Sequence, residues 1–218
     1  MVLGGVVALA SVSGGARGNG QDRQDRQDRQ DRRDRQDRQD RDDDNDNGPP
    51  VTCPRNLPAA LNPPASATQV AALPARGVQI YVCTAAATPA TAPAWVLKSP
   101  HAVLFQDQEV ALIHFAGPAW QALDGSLVTG ARVAAAPSPD GTSIPWLLLQ
   151  ASSNVGPGIL GDVTWIQRLE TAGGAAPATG CDANHLNAEA LIPYRADYFF
   201  YHPATAGKRV RQCSSLSQ

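Results

Sequence analysis

This 218-residue chain contains no apolar run as long as the ~20 residues that a membrane-spanning helix needs. Histidine is scarce. His101, His114, His185 and His202 form no His-x-His, His-x-x-x-His or His-Glu-x-x-His pattern, so short-range spacing specifies no metal site. Cys53, Cys83, Cys181 and Cys213 stand far apart, which excludes a Cys-x-x-Cys redox or zinc motif. There is no Gly-x-Ser-x-Gly nucleophile elbow. No Gly-x-Gly-x-x-Gly lies between a strand and a helix to hold a dinucleotide. Sustained 3.6-residue periodicity is missing too, so helix should be minimal. Only Ser66–Leu73 offers two helical turns, before Pro74. These absences leave neither a metal nor a cofactor to predict.

What is present begins with Met1–Ala16, a stretch of small and apolar residues without a basic start. It fits the apolar region of a signal peptide with a small-residue exit near Ala16, and so predicts a secreted protein. Residues 17–50 read as a disordered linker. Gln21 to Arg41 is seven triplets, six of them Gln-Asp-Arg, and the acidic run Asp42–Asn47 follows. No apolar residue there can offset the entropy cost of ordering. Residues 21–47 hold eight Arg and eleven Asp, whereas the chain from Gly48 onward has nine basic and nine acidic residues. The folded part is therefore neutral and gives no electrostatic reason to expect nucleic acid or an anionic membrane as partner.

Residues 51–218 are long enough for a single domain. Behind a signal peptide, four cysteines predict two disulfides. Three pairings are open; Cys83–Cys181 and Cys53–Cys213 are the favoured ones, tying the first strand to a late loop and stapling the ends. Proline and glycine punctuate short β-type runs. Strands are expected at Gly77–Cys83, Ala94–Lys98, Ala102–Phe105, Glu109–Phe115, Leu127–Ala134, Ile144–Gln150, Val163–Leu169 and Tyr194–Tyr201. The class is all-β: an antiparallel sandwich or barrel of about eight short strands.

Several of these runs carry a likeness. They are Gly77–Cys83, His114-Phe115-Ala116-Gly117-Pro118-Ala119-Trp120, Asp124-Gly125-Ser126, Ile144–Leu149, Ile166-Gln167-Arg168 with Thr171–Gly174, and Pro193–Tyr198. Together they resemble the domain-of-unknown-function family 3455 of bacteria and fungi, whose members often follow a signal peptide. The likeness spans about Leu57 to Tyr201. It implies no established activity. The malate dehydrogenase label of some fungal relatives finds no dinucleotide fingerprint or βα alternation here. Ala119 stands where threonine often precedes the motif's tryptophan, which removes any role for a hydroxyl at that position.

Two readings of function follow. In the first, the chain is a cell-surface or extracellular binding or structural module. Trp95, Trp120, Trp146, Trp165 and the aromatic run Tyr194–Tyr201 could stack on the sugars of a cell-wall or extracellular polysaccharide, with Gln167 and Arg168 supplying hydrogen bonds. In the second, it is an extracellular hydrolase or metal-dependent enzyme with a site near His114, Trp120 and Asp124. Ser126, His114 and Asp124 have the residue types of a triad, although Asp124-Gly125-Ser126 also reads as a turn. Carboxylate pairs such as Asp124 with Asp162, or Asp197 with Glu170, would serve glycoside hydrolysis. The candidate ligand pocket is thus His114, Trp120, Asp124, Gln167 and Arg168. A buried Arg168 would require an anionic partner, with Asp197 or Glu170 as candidates.

Overall fold

The runs between the proline and glycine turns become eight strands: β1 (Ala67–Thr84), β2 (Ala94–Gln106), β3 (Glu109–Phe115), β4 (Ala119–Ala122), β5 (Leu127–Ala136), β6 (Trp146–Val155), β7 (Trp165–Gly173) and β8 (Glu189–Pro203). The computed structural model describes residues 57–86, 88 and 92–204. The expected signal peptide (1–16), the linker (17–50) and the Cys53–Cys213 pair lie outside the described residues. Each strand pairs antiparallel with its sequence neighbour, and β8 returns to β1, so the sheet closes into a barrel. Among the described residues the only helix is a single 3-10 turn, Ala59–Leu61.

Two expectations give way. The segment Ser66–Leu73 is not helical; from Ala67 it forms the first half of β1. Its burial alternates, with Gln69, Ala71, Leu73 and Ala75 inward, and pairing to β8 overrides weak local helix propensity. The separate runs at Ala94–Lys98 and Ala102–Phe105 are one strand, β2.

Proline inside strands is tolerated because of where each ladder stops. Pro74 precedes the first β1–β2 pair, Ala75–Leu104. Pro100 precedes the β2–β3 ladder, which starts at Ala102. Pro193 lies just past the last β7–β8 pair, Gly173–Tyr194. Each proline therefore stands where one neighbouring strand has already ended, so its missing N–H costs no ladder bond on that side.

An eight-stranded barrel is just wide enough for side chains to fill. Ala71, Leu73, Leu104, Leu112, Trp120, Leu149, Ile166, Tyr198 and Phe200 occupy the interior. A second cluster lies outside the wall, where Leu61 covers Trp146, Leu148, Leu169, Phe199 and Tyr201. Gly77 marks the closest approach of β1 to β2: a Cβ there would sit 2.2 Å from the His101 carbonyl oxygen. At one end, the disulfide end, Cys83 is bonded to Cys181 in the β7–β8 connection. The opposite end, the Asp124 end, carries the β2–β3, β4–β5 and β6–β7 connections.

Candidate functional site

Period-two alternation decides which candidates can meet. His114 on β3 and Trp120 on β4 are register partners and point into the barrel. Their rings stack with centroids 4.4 Å apart and planes 6° from parallel. Tyr198 of β8 meets both edge-on, at 5.2 Å and 5.6 Å. Trp120 is 1% exposed and His114 2%. The Nδ1 of His114 lies 2.8 Å from the Ala119 carbonyl. A carbonyl only accepts, so Nδ1 carries the hydrogen and Nε2 is bare. Burial, reinforced by the positive charge of Arg168, lowers its pKa to about 4 although the Ala119 hydrogen bond works the other way. The imidazole is neutral at ordinary pH.

Arg168 of β7 faces the same interior. It pairs with Tyr198 on one side and Leu147 on the other. Its guanidinium donates to the Pro145 carbonyl from Nη2 at 2.8 Å and from Nε at 3.2 Å. Its charge also acts on the hydroxyls of Tyr198, Tyr81 and Tyr194. Burial raises the pKa of all three tyrosines, which stay protonated. The expected ion pair with Asp197 or Glu170 does not form: among the described residues no carboxylate lies within ion-pair reach of Arg168. Asp197 instead feels Glu170, and burial together with that like charge raises its pKa.

Gln167, next in the chain, must face the other way. Its Nε2 donates to the Leu61 carbonyl at 2.6 Å, and its Oε1 accepts from the Tyr201 hydroxyl. It therefore pins the Ala59–Leu61 turn to the outside of the wall and does not join His114, Trp120 and Arg168.

Asp124 stands in the β4–β5 turn. Its carboxylate accepts from the Ser126 amide (2.8 Å), the Ser126 hydroxyl (2.6 Å) and the Ile159 amide (2.9 Å). These bonds hold its pKa below the ordinary carboxylate value. Ser126 in turn accepts from the Leu160 amide at 3.2 Å. Both polar groups are spent on tying the β4–β5 turn to the β6–β7 connection. A triad or metal centre made from His114, Trp120 and Asp124 would need them in one pocket. His114 and Trp120 point into the barrel beside the β3–β4 connection, whereas Asp124 lines a cleft at the opposite end.

That cleft, about 400 Å³, has no motif in the sequence to mark it. Val110, Leu112, Leu123 and Ile159 form its apolar lining; Asp107, Glu109 and Asp124 add carboxylates, and no cation lines it. Leu123 is 74% exposed. In the β2–β3 turn Asp107 and Gln108 both take positive φ (48° and 71°), as a two-residue type I′ hairpin turn requires.

The remaining candidates are dispersed. His101 is exposed. His185 lies 2.8 Å from Asp182, and the Nε2 of His202 is 3.3 Å from the Ile159 carbonyl. Asp162 borders a separate hollow beside His202. Among the described residues no three His, Cys, Asp or Glu side chains converge as metal ligands. Trp146 is buried, Trp165 packs on the outer cluster, and Trp95 donates to the Thr179 carbonyl at 2.9 Å. The exposed large apolar side chains among the described residues are all aliphatic. The letters Gly-x-Gly-x-x-Gly do occur, at Gly156–Gly161, but they join β6 to β7. No helix N-terminus follows to bind a phosphate.

The model of the family described as "Protein of unknown function (DUF3455)" matches residues 106–202. The likeness carried by the sequence motifs is thereby shown from the end of β2 to β8. No curated protein and no solved structure matches the chain.

Proposed function

Starting from a family whose description assigns no activity, we propose that the protein is an extracellular binding module. Its contact surface is the cleft at the Asp124 end, and its partners are short peptide segments carrying basic and aliphatic side chains. The carrying observation is that Leu123 stands 74% exposed in a turn held rigid by the bonds of Asp124 and Ser126. Exposed contiguous apolar surface marks interaction sites, and a pre-ordered loop loses little entropy on binding. Carboxylates of Asp107 and Glu109 beside Val110 and Ile159 favour a cationic, aliphatic partner. The apolar Met1–Ala16 stretch supports secretion, and the Cys83–Cys181 bond fits an oxidising compartment.

A polysaccharide partner is less well supported. Stacking on sugars requires an exposed aromatic face, and Trp120 and Trp146 are buried. Selection from a displayed peptide library should enrich Lys or Arg beside Leu or Ile. Binding of those peptides should weaken at least about tenfold in Leu123→Asp and fall with added salt. Peptides that bind Leu123→Asp as tightly as the native chain would refute the reading. So would cell-wall polysaccharides retained equally by both proteins.

A further inference from the structure

We propose that the disulfide end of the barrel holds an anion site anchored on Arg168, suited to a singly charged carboxylate on a small apolar body. The site is independent of the Asp124-end cleft. A guanidinium has five N–H donors. Arg168 directs two nitrogens at one acceptor, the Pro145 carbonyl, and its charge acts on the nearby hydroxyls of Tyr81, Tyr194 and Tyr198. No carboxylate among the described residues neutralises it. A partly buried cation in that position is disfavoured until an anion joins it.

The surrounding groups supply further donors. The hydroxyls of Tyr194 and Tyr198 are buried and 3.3 Å apart. One hydroxyl hydrogen lies between the two oxygens; the other has no acceptor among the described residues and is free to donate. Gln79, 1% exposed, faces the same interior, and its Nε2 has no hydrogen-bond partner. A Cβ on Gly174 would touch both Tyr194 Cβ (2.8 Å) and Gln79 Cγ (3.2 Å), which makes these side chains neighbours beneath that residue. An orphaned buried donor costs about 1–3 kcal/mol, and an anion would satisfy it.

Charge balance sets the ligand class. Among the described residues Arg168 is the one cation facing this layer, because His114 is neutral. A carboxylate brings the layer to zero. A phosphate dianion would leave a net negative charge in a low-dielectric interior. Planar carboxylates also match the guanidinium fork. Trp120, Tyr198 and Phe200 make the neighbouring interior apolar, and Arg168, only partly buried, is the part of the site that reaches solvent.

The test uses the full chain with sodium butyrate and sodium benzoate as probes, and sodium chloride and inorganic phosphate at matched ionic strength. Thermal unfolding and tryptophan fluorescence are followed. The carboxylates should raise the melting temperature saturably and perturb Trp120 emission; phosphate and chloride should not. Arg168→Gln should weaken carboxylate binding at least about tenfold, and Arg168→Lys should fall between. Three results would overturn the site: no saturation by about 10 mM of either carboxylate, equal affinity in Arg168→Gln, or equal binding of phosphate. If Arg168→Gln does not fold, Tyr194→Phe and Gln79→Leu decide the matter, and undiminished affinity in both overturns it.

Discussion

Acid should unfold this protein through His114 before its carboxylates titrate. The ring is neutral, stacked on Trp120 and buried, with a folded-state pKa of about 4 against an ordinary 6.5. Between those values the unfolded chain binds the proton and the native chain does not, so stability falls as pH falls. Each pH unit in that window is worth about 1.4 kcal/mol. The loss should reach about 2 kcal/mol near pH 5 and about 3 kcal/mol near pH 4. That is a large fraction of the ~5–15 kcal/mol that holds a typical domain. Asp124, Asp140 and Asp182 have folded pKa values below their ordinary 3.8, so their losses begin below this window. Asp197, whose pKa is raised, takes its proton first in the native state and opposes the trend. Urea unfolding of the native chain and of His114→Asn, at about pH 7, 5 and 4, separates these contributions. Asn keeps the N–H that reaches the Ala119 carbonyl but cannot take the proton. It should be less stable at neutral pH, where the stacking is lost, and should lack most of the loss between pH 6.5 and 4. A variant that loses as much stability on acidification as the native chain would refute the buried neutral imidazole.

Replacing Cys83 and Cys181 together by serine opens a loop of 98 residues. It should cost about 4–5 kcal/mol by the chain-entropy relation, read as a lower denaturation midpoint in non-reducing buffer. Gln167→Ala removes the donor to the Leu61 carbonyl and the acceptor for the Tyr201 hydroxyl. It should cost about 2–3 kcal/mol and raise hydrogen exchange around Ala59–Leu61. A loss below about 0.5 kcal/mol would show that the outer cluster holds the turn unaided.

Strand content was legible in the sequence because runs such as Gly77–Cys83 and Tyr194–Tyr201 are rich in β-branched or aromatic residues and bounded by turn residues. Closure was not, since a sandwich and a barrel impose the same alternation on each strand; only the β1–β8 register separates them. The four-residue β4 escaped notice because one motif packs two strand ends and the Gly117–Pro118 turn into a few residues. Of the candidate pocket, Arg168 and Gln167 could have been separated beforehand: adjacent strand residues face opposite sides. The same parity places Tyr194, Tyr198 and Phe200 together on the interior face, with Tyr201 on the other side. Asp124 read correctly as a turn residue, and the three bonds it accepts show why its chemistry is occupied. The Leu123–Ile159 cleft left no trace, because it depends on two connections distant in sequence being tied together.

The first strand is completed by the last. The β1–β8 register runs from Ala67–Pro203 to Val82–Glu189, so β1 keeps an unpaired edge until nearly the whole barrel has been synthesised. Contacts of such long sequence separation make folding slow, and exposed edges in the interim invite pairing with other chains. A chain truncated before β8 should therefore aggregate instead of forming a smaller barrel. If the protein crosses a membrane unfolded, this late closure helps keep it threadable until β8 has passed.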